Sequence, residues 1–237
     1  MTHRFVVGRD LALSPEQSRQ IATVLRLAPG DEITLVAGGE EVAYRLDRVT
    51  PALVAGTVLS RRRSDAEPRS RLVLALPLLR GEHSELVVES ATQLGVARFV
   101  PFTSARSVAR ELGAEKRRRW ERIAREAVET SRRSVVPEIA PLMRWGDALF
   151  EELEGDTLVA WEEERGTLLQ DAVPRGGDAV SLVIGPEGGL TQEEVAFAER
   201  SGARIVSLGR RPLRAETAAI SAVAQLMAAL DRDGDAP

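Results

Sequence analysis

Residues 182–191 read Leu-Val-Ile-Gly-Pro-Glu-Gly-Gly-Leu-Thr, and residues 205–218 read Ile-Val-Ser-Leu-Gly-Arg-Arg-Pro-Leu-Arg-Ala-Glu-Thr-Ala. Each stretch begins with aliphatic residues typical of a strand and continues into a loop rich in glycine or proline. A helix pattern follows each loop. Two such loops can meet at one edge of a parallel sheet, where α/β proteins bind ligands. The two stretches therefore predict an α/β domain with a ligand site at the carboxyl ends of its strands.

The composition of the chain excludes several classes of protein. Its 237 residues, 43% of them hydrophobic, are enough for a buried core and for two domains. Cysteine is absent, and His3 and His83 are the only histidines, so disulfides are excluded and no metal site is expected. Because no long apolar run is present, we expect no membrane segment and a cytoplasmic location.

Acidic residues are concentrated at the C-terminal end of the chain. The net charge is −4, but residues 151–237 hold 8 basic and 17 acidic side chains, so the first 150 residues are net basic. Binding of a polyanion depends on a local basic face, and the overall sign therefore does not exclude RNA as a partner.

The first part of the chain has the pattern of a small β-rich domain. Ser14 before Pro15, with Gln17 three residues after the serine, predicts the start of a helix that runs to about Leu25. Short strands surround this helix and suggest a small barrel or sandwich. The predicted strands are Arg4 to Val7, Glu32 to Ala37, Glu41 to Val49 and Leu53 to Ser60.

A polar segment from Arg61 to Arg71 lacks periodicity and marks the boundary between a domain at 1–68 and a second domain at 72–232. It is either a solvated linker or a linker whose arginines also contact phosphate.

Strands and helices alternate in the second domain. Gly95 predicts the C-terminal cap of one helix, and Thr191 with Glu194 predicts a capping box at the start of another. The predicted strands are 72–79, 97–101, 157–161, 179–184 and 205–208, and the predicted helices are 82–94, 114–131, 191–202 and 215–230. The arginine-rich face of helix 114–131 is either an ordinary solvated face or a basic binding face.

The residue types of the two loops alone leave their chemistry open. Gly185, Gly188 and Gly189 allow close approach of the backbone to a ligand, but neither a P-loop nor a dinucleotide fingerprint is present. Arg214 and Glu216 could equally form a structural ion pair at the start of the last helix.

Both loops resemble the C-terminal signature of the RsmE family, SPOUT-superfamily methyltransferases that methylate N3 of uridine in 16S ribosomal RNA. The signature comprises Ile184 to Gly189 together with Leu208-Gly209, Leu213-Arg214 and Glu216-Thr217-Ala218. Further similar motifs cover the rest of the chain. These are Val24-Leu25-Arg26-Leu27, Gly30-Asp31, Arg80-Gly81-Glu82, Leu94-Gly95-Val96, Arg133 and Val136-Pro137-Glu138.

The resemblance implies an N-terminal PUA-like β-barrel and a C-terminal SPOUT α/β domain with a deep trefoil knot. It also implies S-adenosyl-L-methionine as cofactor, a homodimer, and a uridine in the decoding region of the assembled 30S subunit as substrate. Two alternatives stay open: a related SPOUT enzyme acting on tRNA, and a non-catalytic RNA-binding protein of ribosome assembly.

Roles for individual residues follow from the same resemblance. Arg214 and Glu216 are the predicted catalytic residues, no general base is assigned, and Glu162 is a candidate for it. The predicted RNA-binding residues are Arg4, Arg26, Arg80 and Arg133. The predicted cofactor-binding residues are Ala160, Trp161, Glu162, Ile184, Gly185, Pro186, Glu187, Gly188, Gly189, Leu208, Gly209, Leu213, Arg214, Thr217 and Ala218. Where the family often has lysine in the first helix of this domain, the chain has His83.

Overall fold

A computed structural model of the protein describes residues 3–174 and 178–233. Its contacts divide the chain into two compact units. Unit 1 comprises Met1–Glu67 and Val128–Val136, and unit 2 comprises Pro68–Ala127 and Pro137–Pro237. Residues 128–136, which the sequence assigned to the second domain, therefore belong to unit 1 in the structure.

Unit 1 contains a four-stranded sheet in the order β1-β2-β3-β4. The first two strands are parallel and the other pairs are antiparallel. Its strands are β1 (Arg4–Val6), β2 (Glu32–Ala37), β3 (Glu40–Val49) and β4 (Val54–Arg63). Alternate residues point into an apolar core that includes Phe5, Ile33, Leu35 and Leu46.

The fourth strand runs three residues beyond its predicted end, into the polar segment. Arg61 and Arg62 lie opposite Val42 and Glu41 of β3 in the antiparallel register, and Arg62 forms an ion pair with Glu41. Cross-strand pairs of opposite charge stabilise a sheet, and this pairing extends β4 to Arg63 without a hydrophobic pattern. The arginines at 61–63 are thus part of a strand.

The helix of unit 1 begins where its cap predicts. Ser14 accepts a hydrogen bond from the amide of Gln17, and the Gln17 side chain accepts one from the amide of Ser14, so the capping box is confirmed. Helix α1 (Pro15–Arg19) continues as a π-helical turn at Gln20–Val24.

Unit 2 is built on a parallel sheet in the order β11-β9-β10-β5-β6-β7, with β8 paired to β6. The strands are β5 (Arg71–Pro77), β6 (Val96–Thr103), β7 (Glu138–Ile139), β8 (Met143–Arg144), β9 (Asp156–Ala160), β10 (Ala179–Ile184) and β11 (Arg204–Val206). The helices that begin in this unit are α2 (His83–Leu94), α3 (Ala114–Ser131), α4 (Asp147–Glu151), α5 (Gln192–Arg200) and α6 (Ala215–Asp233). The last turn of α3, from residue 128, belongs to unit 1.

Both faces of this sheet are covered, as the continuous apolar pattern of β5 predicts. Residues 72–76 are fully buried. Val73 and Ala75 belong to a cluster with residues of α4 and α5, while α2 packs against α6 and β6, and α6 packs against β10. At the end of α2, Gly95 has φ +116°, and a Cβ there would lie 2.7 Å from Pro68 Cγ. The predicted glycine cap is therefore confirmed by both backbone angle and space.

Three of the six basic residues on the polar face of α3 form ion pairs within unit 2. Arg117 pairs with Glu121, Arg119 with Glu82, and Arg122 lies near Glu126. These pairs favour the interpretation of this face as an ordinary solvated helix face.

Candidate active site

A cavity of about 770 Å³ lies at the carboxyl ends of β9, β10 and β11. This is the edge of a parallel sheet at which ligands usually bind, and the volume suits a small organic molecule. The lining comes from the loops that follow these three strands and from the starts of α2 and α6. It consists of Arg80, His83, Ala160, Trp161, Glu162, Glu163, Arg165, Ile184, Gly185, Pro186, Glu187, Gly189, Ser207, Leu208, Gly209, Arg210, Arg211, Pro212, Leu213, Arg214, Ala215, Glu216 and Ala218.

Backbone hydrogen bonds connect the loop after β9 to the end of β11. The amide of Trp161 donates to the carbonyl of Val206 at 3.0 Å, and the amide of Ser207 donates to the carbonyl of Thr167 at 2.8 Å. The amide of Leu169 then donates to the carbonyl of Ser207 at 3.0 Å. Two of the three cavity loops are therefore held side by side by their own backbones.

The Glu164 carboxylate stabilises the same loop from within. Its Oε1 accepts hydrogen bonds from the amides of Thr167 at 2.9 Å and Gly166 at 2.5 Å. These amides lower the pKa of Glu164 below its ordinary value, because they stabilise the ionised form. Glu164 thus stabilises the loop without lining the cavity itself.

Glycine is required at position 189 of the loop after β10. The backbone there has φ +72°, and a Cβ would lie 2.0 Å from Oε1 of Glu162. Any larger residue would strain the backbone and displace the Glu162 carboxylate. Next to this loop, Thr191 and Glu194 form the predicted capping box, which fixes where α5 begins.

A carboxylate of the same loop binds the segment that leads into α2. Glu187 Oε1 accepts a hydrogen bond from the amide of Arg80 at 2.8 Å. Glu187 therefore lines the cavity and also connects its loop to the segment before α2.

Most of the predicted cofactor residues meet at this cavity. Gly188 and Thr217 are not among the described residues that line it. The carbonyl of Gly188 accepts from Arg106 at 3.0 Å, and a Cβ on Gly188 would lie 2.9 Å from Arg106 Cβ. Thr217 is exposed on α6. Both predicted catalytic residues, Arg214 and Glu216, line the cavity.

The possible ion pair between Arg214 and Glu216 is replaced by another contact. Nδ1 of His83 lies 3.3 Å from Oε2 of Glu216, and no ion pair joins Arg214 to another described residue. The sequence did not identify His83 as a site residue. The signal available was its position directly after the motif Arg80-Gly81-Glu82, whose Arg80 was predicted to bind RNA.

Three arginines on the loop after β11 face the cavity with exposed side chains. Arg210, Arg211 and Arg214 form no ion pair within residues 3–174 and 178–233, so their positive charge is available to a ligand. The sequence named only Arg214 among the site residues.

The four predicted RNA-binding arginines occupy different environments. Arg26 and Arg80 are exposed. Arg4 is mostly buried and donates to Glu41 at 2.8 Å and to the carbonyl of Arg132 at 3.0 Å. Arg133 is 2% exposed and bound by Glu67 at 2.8 Å. A phosphate contact needs an accessible guanidinium. Arg133 is buried within unit 1 and Arg4 is mostly buried there, and both guanidiniums already have protein partners.

Comparison with known proteins assigns a family to this site. A sequence profile described as an RNA methyltransferase domain matches residues 66–227. The chain belongs to this RNA methyltransferase family. The match includes the three loops that line the cavity, so the cavity is part of the family domain.

Relatives and solved structures in the family resemble the chain over nearly its whole length. The ribosomal RNA small subunit methyltransferase E of Bacillus subtilis is 30% identical over 91% of this chain and 88% of its own. A putative methyltransferase from Legionella pneumophila, solved with bound cofactor SAM, is 31% identical with TM-score 0.87 and covers 97% of this chain and 98% of its own. The ribosomal RNA small subunit methyltransferase E of Neisseria gonorrhoeae, bound to S-adenosyl methionine, is 26% identical with TM-score 0.86 and covers 96% of this chain and 98% of its own. RNA methyltransferases are therefore similar to this chain in both sequence and fold.

Two features are absent from the described residues. No helix within them combines the length and apolar character needed to cross a membrane. The same residues contain no group of three or more histidine, aspartate or glutamate side chains arranged to hold a metal ion.

Proposed function

We propose that this protein uses S-adenosyl-L-methionine to methylate N3 of a uridine in the decoding region of 16S rRNA, with the 30S subunit in the cytoplasm as its substrate. The observation that carries the proposal is the cavity formed by three strand-to-helix loops, two of which bear the RsmE motifs. The relatives named as small subunit rRNA methyltransferases support the RNA class. The uridine and its N3 atom rest on the resemblance of the two loops.

The lining fits the proposed cofactor in shape and chemistry. Gly185 and Gly189 both line the cavity, and neither carries a side chain that would separate a ligand from the loop backbone. Backbone amides and carbonyls can bind a flat heterocycle by hydrogen bonds, and Ile184 and Leu208 supply apolar wall. Carboxylates suit hydroxyl and ammonium groups, whereas arginines suit a carboxylate. These groups would hold S-adenosyl-L-methionine, which supplies a methyl group activated by a sulfonium.

The protein's own residues must orient the uridine and stabilise charge on it. Methyl transfer is an in-line displacement, so fixing the geometry of the reacting atoms supplies much of the rate. As N3 loses its proton, negative charge spreads to O2 and O4 of the base. Arg214, exposed on the cavity wall and without an ionic partner among the described residues, is suited to stabilise that charge.

The proposal extends to a trefoil knot in unit 2. Strand β9 lies between β10 and β11 in the sheet although it precedes both in the chain. The segment between β9 and β10 pairs with Ser207 after β11, and α6 packs against its turn at Leu169–Asp171. Such interleaving of segments distant in sequence supports a chain that passes through its own loop.

A homodimer and a PUA-like RNA-recognition module complete the proposal. Leu86 on α2 and Leu213 before α6 are 47% and 39% exposed, and apolar side chains at this exposure suit an interface between copies of unit 2. The strands of unit 1 are compatible with a small PUA-like barrel. Replacing Leu86 with Glu should convert a sedimenting dimer to a monomer; an unchanged sedimentation coefficient in that variant would argue against this interface.

The function is tested on ribosomes that lack the modification. 30S subunits and free 16S rRNA from a strain deleted for this protein are incubated with the protein and methyl donor, and the rRNA is mapped by mass spectrometry. A gain of one methyl group on a decoding-region uridine in 30S subunits is expected, with little gain on free rRNA. The matched control is Gly189→Ala, which should lower cofactor affinity measured by calorimetry. Methylation of tRNA alone, or cofactor binding without any transfer, would refute the proposal.

A further inference from the structure

The start of helix α2 is fixed rigidly against the cavity. The side-chain oxygen of Ser84 is buried and accepts a hydrogen bond from the amide of Leu79 at 2.9 Å. Glu187 binds the next amide, that of Arg80, and Gly81 turns the chain with φ +55°. These hydrogen bonds lie on both sides of His83, the first residue of α2, and they hold it on the cavity wall.

The imidazole of His83 lies next to a carboxylate from another helix. Its Nδ1 lies 3.3 Å from Oε2 of Glu216 on α6. The Glu216 side chain is 12% exposed and that of His83 is 45% exposed, so the carboxylate is the fixed member of the pair. A carboxylate at Nδ1 favours the tautomer in which Nδ1 carries the proton and Nε2 carries the lone pair. Within the described residues, no hydrogen-bond partner occupies Nε2.

Removal of the uridine N3 proton requires a base at this cavity. Four glutamates line it. Glu187 accepts a hydrogen bond from the Arg80 amide, and Glu216 faces His83. Glu162 and Glu163 are exposed on the loop after β9, and a carboxylate is ordinarily a weaker base than an imidazole. Histidine is the side-chain type whose ordinary titration lies nearest neutral pH, which suits a general base. The lone pair of His83 is thus both accessible and chemically appropriate.

We propose that Nε2 of His83 accepts the N3 proton of the uridine and that Glu216 is the positioning residue that holds the imidazole in the required tautomer. This inference rests on the proposed function. The N–H electron pair stays on N3 and forms the new N–C bond to the methyl carbon, while the C–S pair goes to sulfur. The products are 3-methyluridine, neutral S-adenosylhomocysteine and imidazolium, which returns its proton to water.

Charged groups around His83 come from each adjoining element. The charged residues that line the same cavity are Arg80, Arg165, Arg210, Arg211, Arg214, Glu162, Glu163, Glu187 and Glu216. On α2 and α3, Glu82 and Glu85 both lie within ion-pair distance of Arg119, so their charges are balanced locally. The pair most directly placed to influence the imidazole is therefore His83 with Glu216.

Two substitutions at one position separate a base from a mere charge partner. His83→Gln removes the proton acceptor, and His83→Lys preserves a cation that can pair with Glu216 but is protonated at neutral pH. Single-turnover methyl transfer should fall by about 100-fold or more in His83→Gln. His83→Lys introduces the residue that the family often has in this helix, and its rate should rise with pH as the amine loses its proton. Cofactor affinity, measured by calorimetry, should change little in either variant.

The pH profile of single-turnover methyl transfer should differ between the wild type and His83→Gln, because only the wild type has an imidazole at this position. A wild-type rate and an unchanged pH profile in His83→Lys would show that the position serves only as a cation for Glu216, and would overturn the inference.

Nuclear magnetic resonance of the free protein gives a second readout that is independent of turnover. The chain has only two histidines, and His3 is exposed. The imidazole ¹⁵N signals that disappear in His83→Gln belong to His83. Their chemical shifts should report the Nδ1–H tautomer in the wild type and the loss of that tautomer in Glu216→Ala. An Nε2–H tautomer in the wild type would contradict the proposal. If wild-type protein fails to methylate 30S subunits while the Nδ1–H tautomer is present, the proposed function fails and the dyad geometry stands.

Discussion

Arginines in two regions of the molecule are used in opposite ways. In unit 1, Arg133 is buried and Arg4 is mostly buried, and each forms an ion pair with a glutamate. Arg4 also donates to the backbone carbonyls of Arg132 and Arg133. At the cavity of unit 2, Arg211 and Arg214 are exposed and form no ion pair within the described residues. A buried cation must be paired because its desolvation is costly, whereas an exposed cation at a cavity stays available to a ligand. Arginine therefore indicates RNA or ligand binding only after its environment is known.

The largest expected effect concerns the cavity. Arg214→Ala should reduce methyl transfer by about 100- to 1000-fold, because one preorganised donor for the developing charge is lost. The thermal unfolding midpoint should stay close to that of the wild type, since the side chain is exposed. Single-turnover kinetics and calorimetric scanning test both. Arg204→Ala, on β11 and bound to the carbonyl of Ala172, is a matched control for loss of an arginine outside the cavity.

If Arg214→Ala were much less stable but fully active, Arg214 would have a structural role, as Arg133 does in unit 1, and not a role in methyl transfer.

The second prediction concerns the buried pair of unit 1. Arg133→Ala should lower the free energy of unfolding by about 3 kcal/mol, because it leaves the Glu67 carboxylate without its charge partner. Cofactor affinity should be unchanged, since Arg133 does not line the cavity. Urea unfolding and isothermal calorimetry distinguish this from a binding role. A stable variant that binds rRNA poorly would restore the RNA contact predicted from the sequence.

The third prediction is the pH dependence of the same pair. Burial would raise the pKa of Glu67, but the hydrogen bond and charge of Arg133 and the amides of Ser134 and Val135 lower it below its ordinary value of 4.5. A lowered folded-state pKa adds stability that is present above the ordinary value and is lost as the pH falls through the folded value. Urea unfolding from about pH 6 to pH 3 should show this decline in the wild type and a smaller one in Glu67→Gln. Identical declines would exclude Glu67 as a contributor.

The smallest expected effect concerns an exposed arginine of unit 1. Arg26→Ala should weaken rRNA binding modestly and reduce the slope of log affinity against log salt by about 0.7 to 0.9, the value for one lost phosphate contact. Arg48→Ala, also exposed in unit 1, is the control. Equal reductions in both variants would mean that the contact is diffuse and not specific to Arg26.

Local signals in the sequence were sufficient for most elements of the fold. The capping boxes at Ser14 and Thr191 and the cap at Gly95 are confirmed, and the bounds of α3 and β10 agree with their predictions. These signals lie within a few residues of the structure that they specify. Strands β7 and β8 and helix α4 were missed, because two to five residues carry no measurable periodicity.

The sequence by itself determined the alternation of strands and helices, the glycine loops and the family to which they belong. Only the tertiary structure decided that residues 128–136 belong to unit 1, that Arg133 is buried against Glu67, and that His83 faces Glu216. Each of these depends on groups far apart in the chain, and their burial and distance are set by packing. Caps and turns depend on residues a few positions apart, so the sequence predicts them. The partner of a charged side chain comes from a distant part of the chain and is brought to it only by folding.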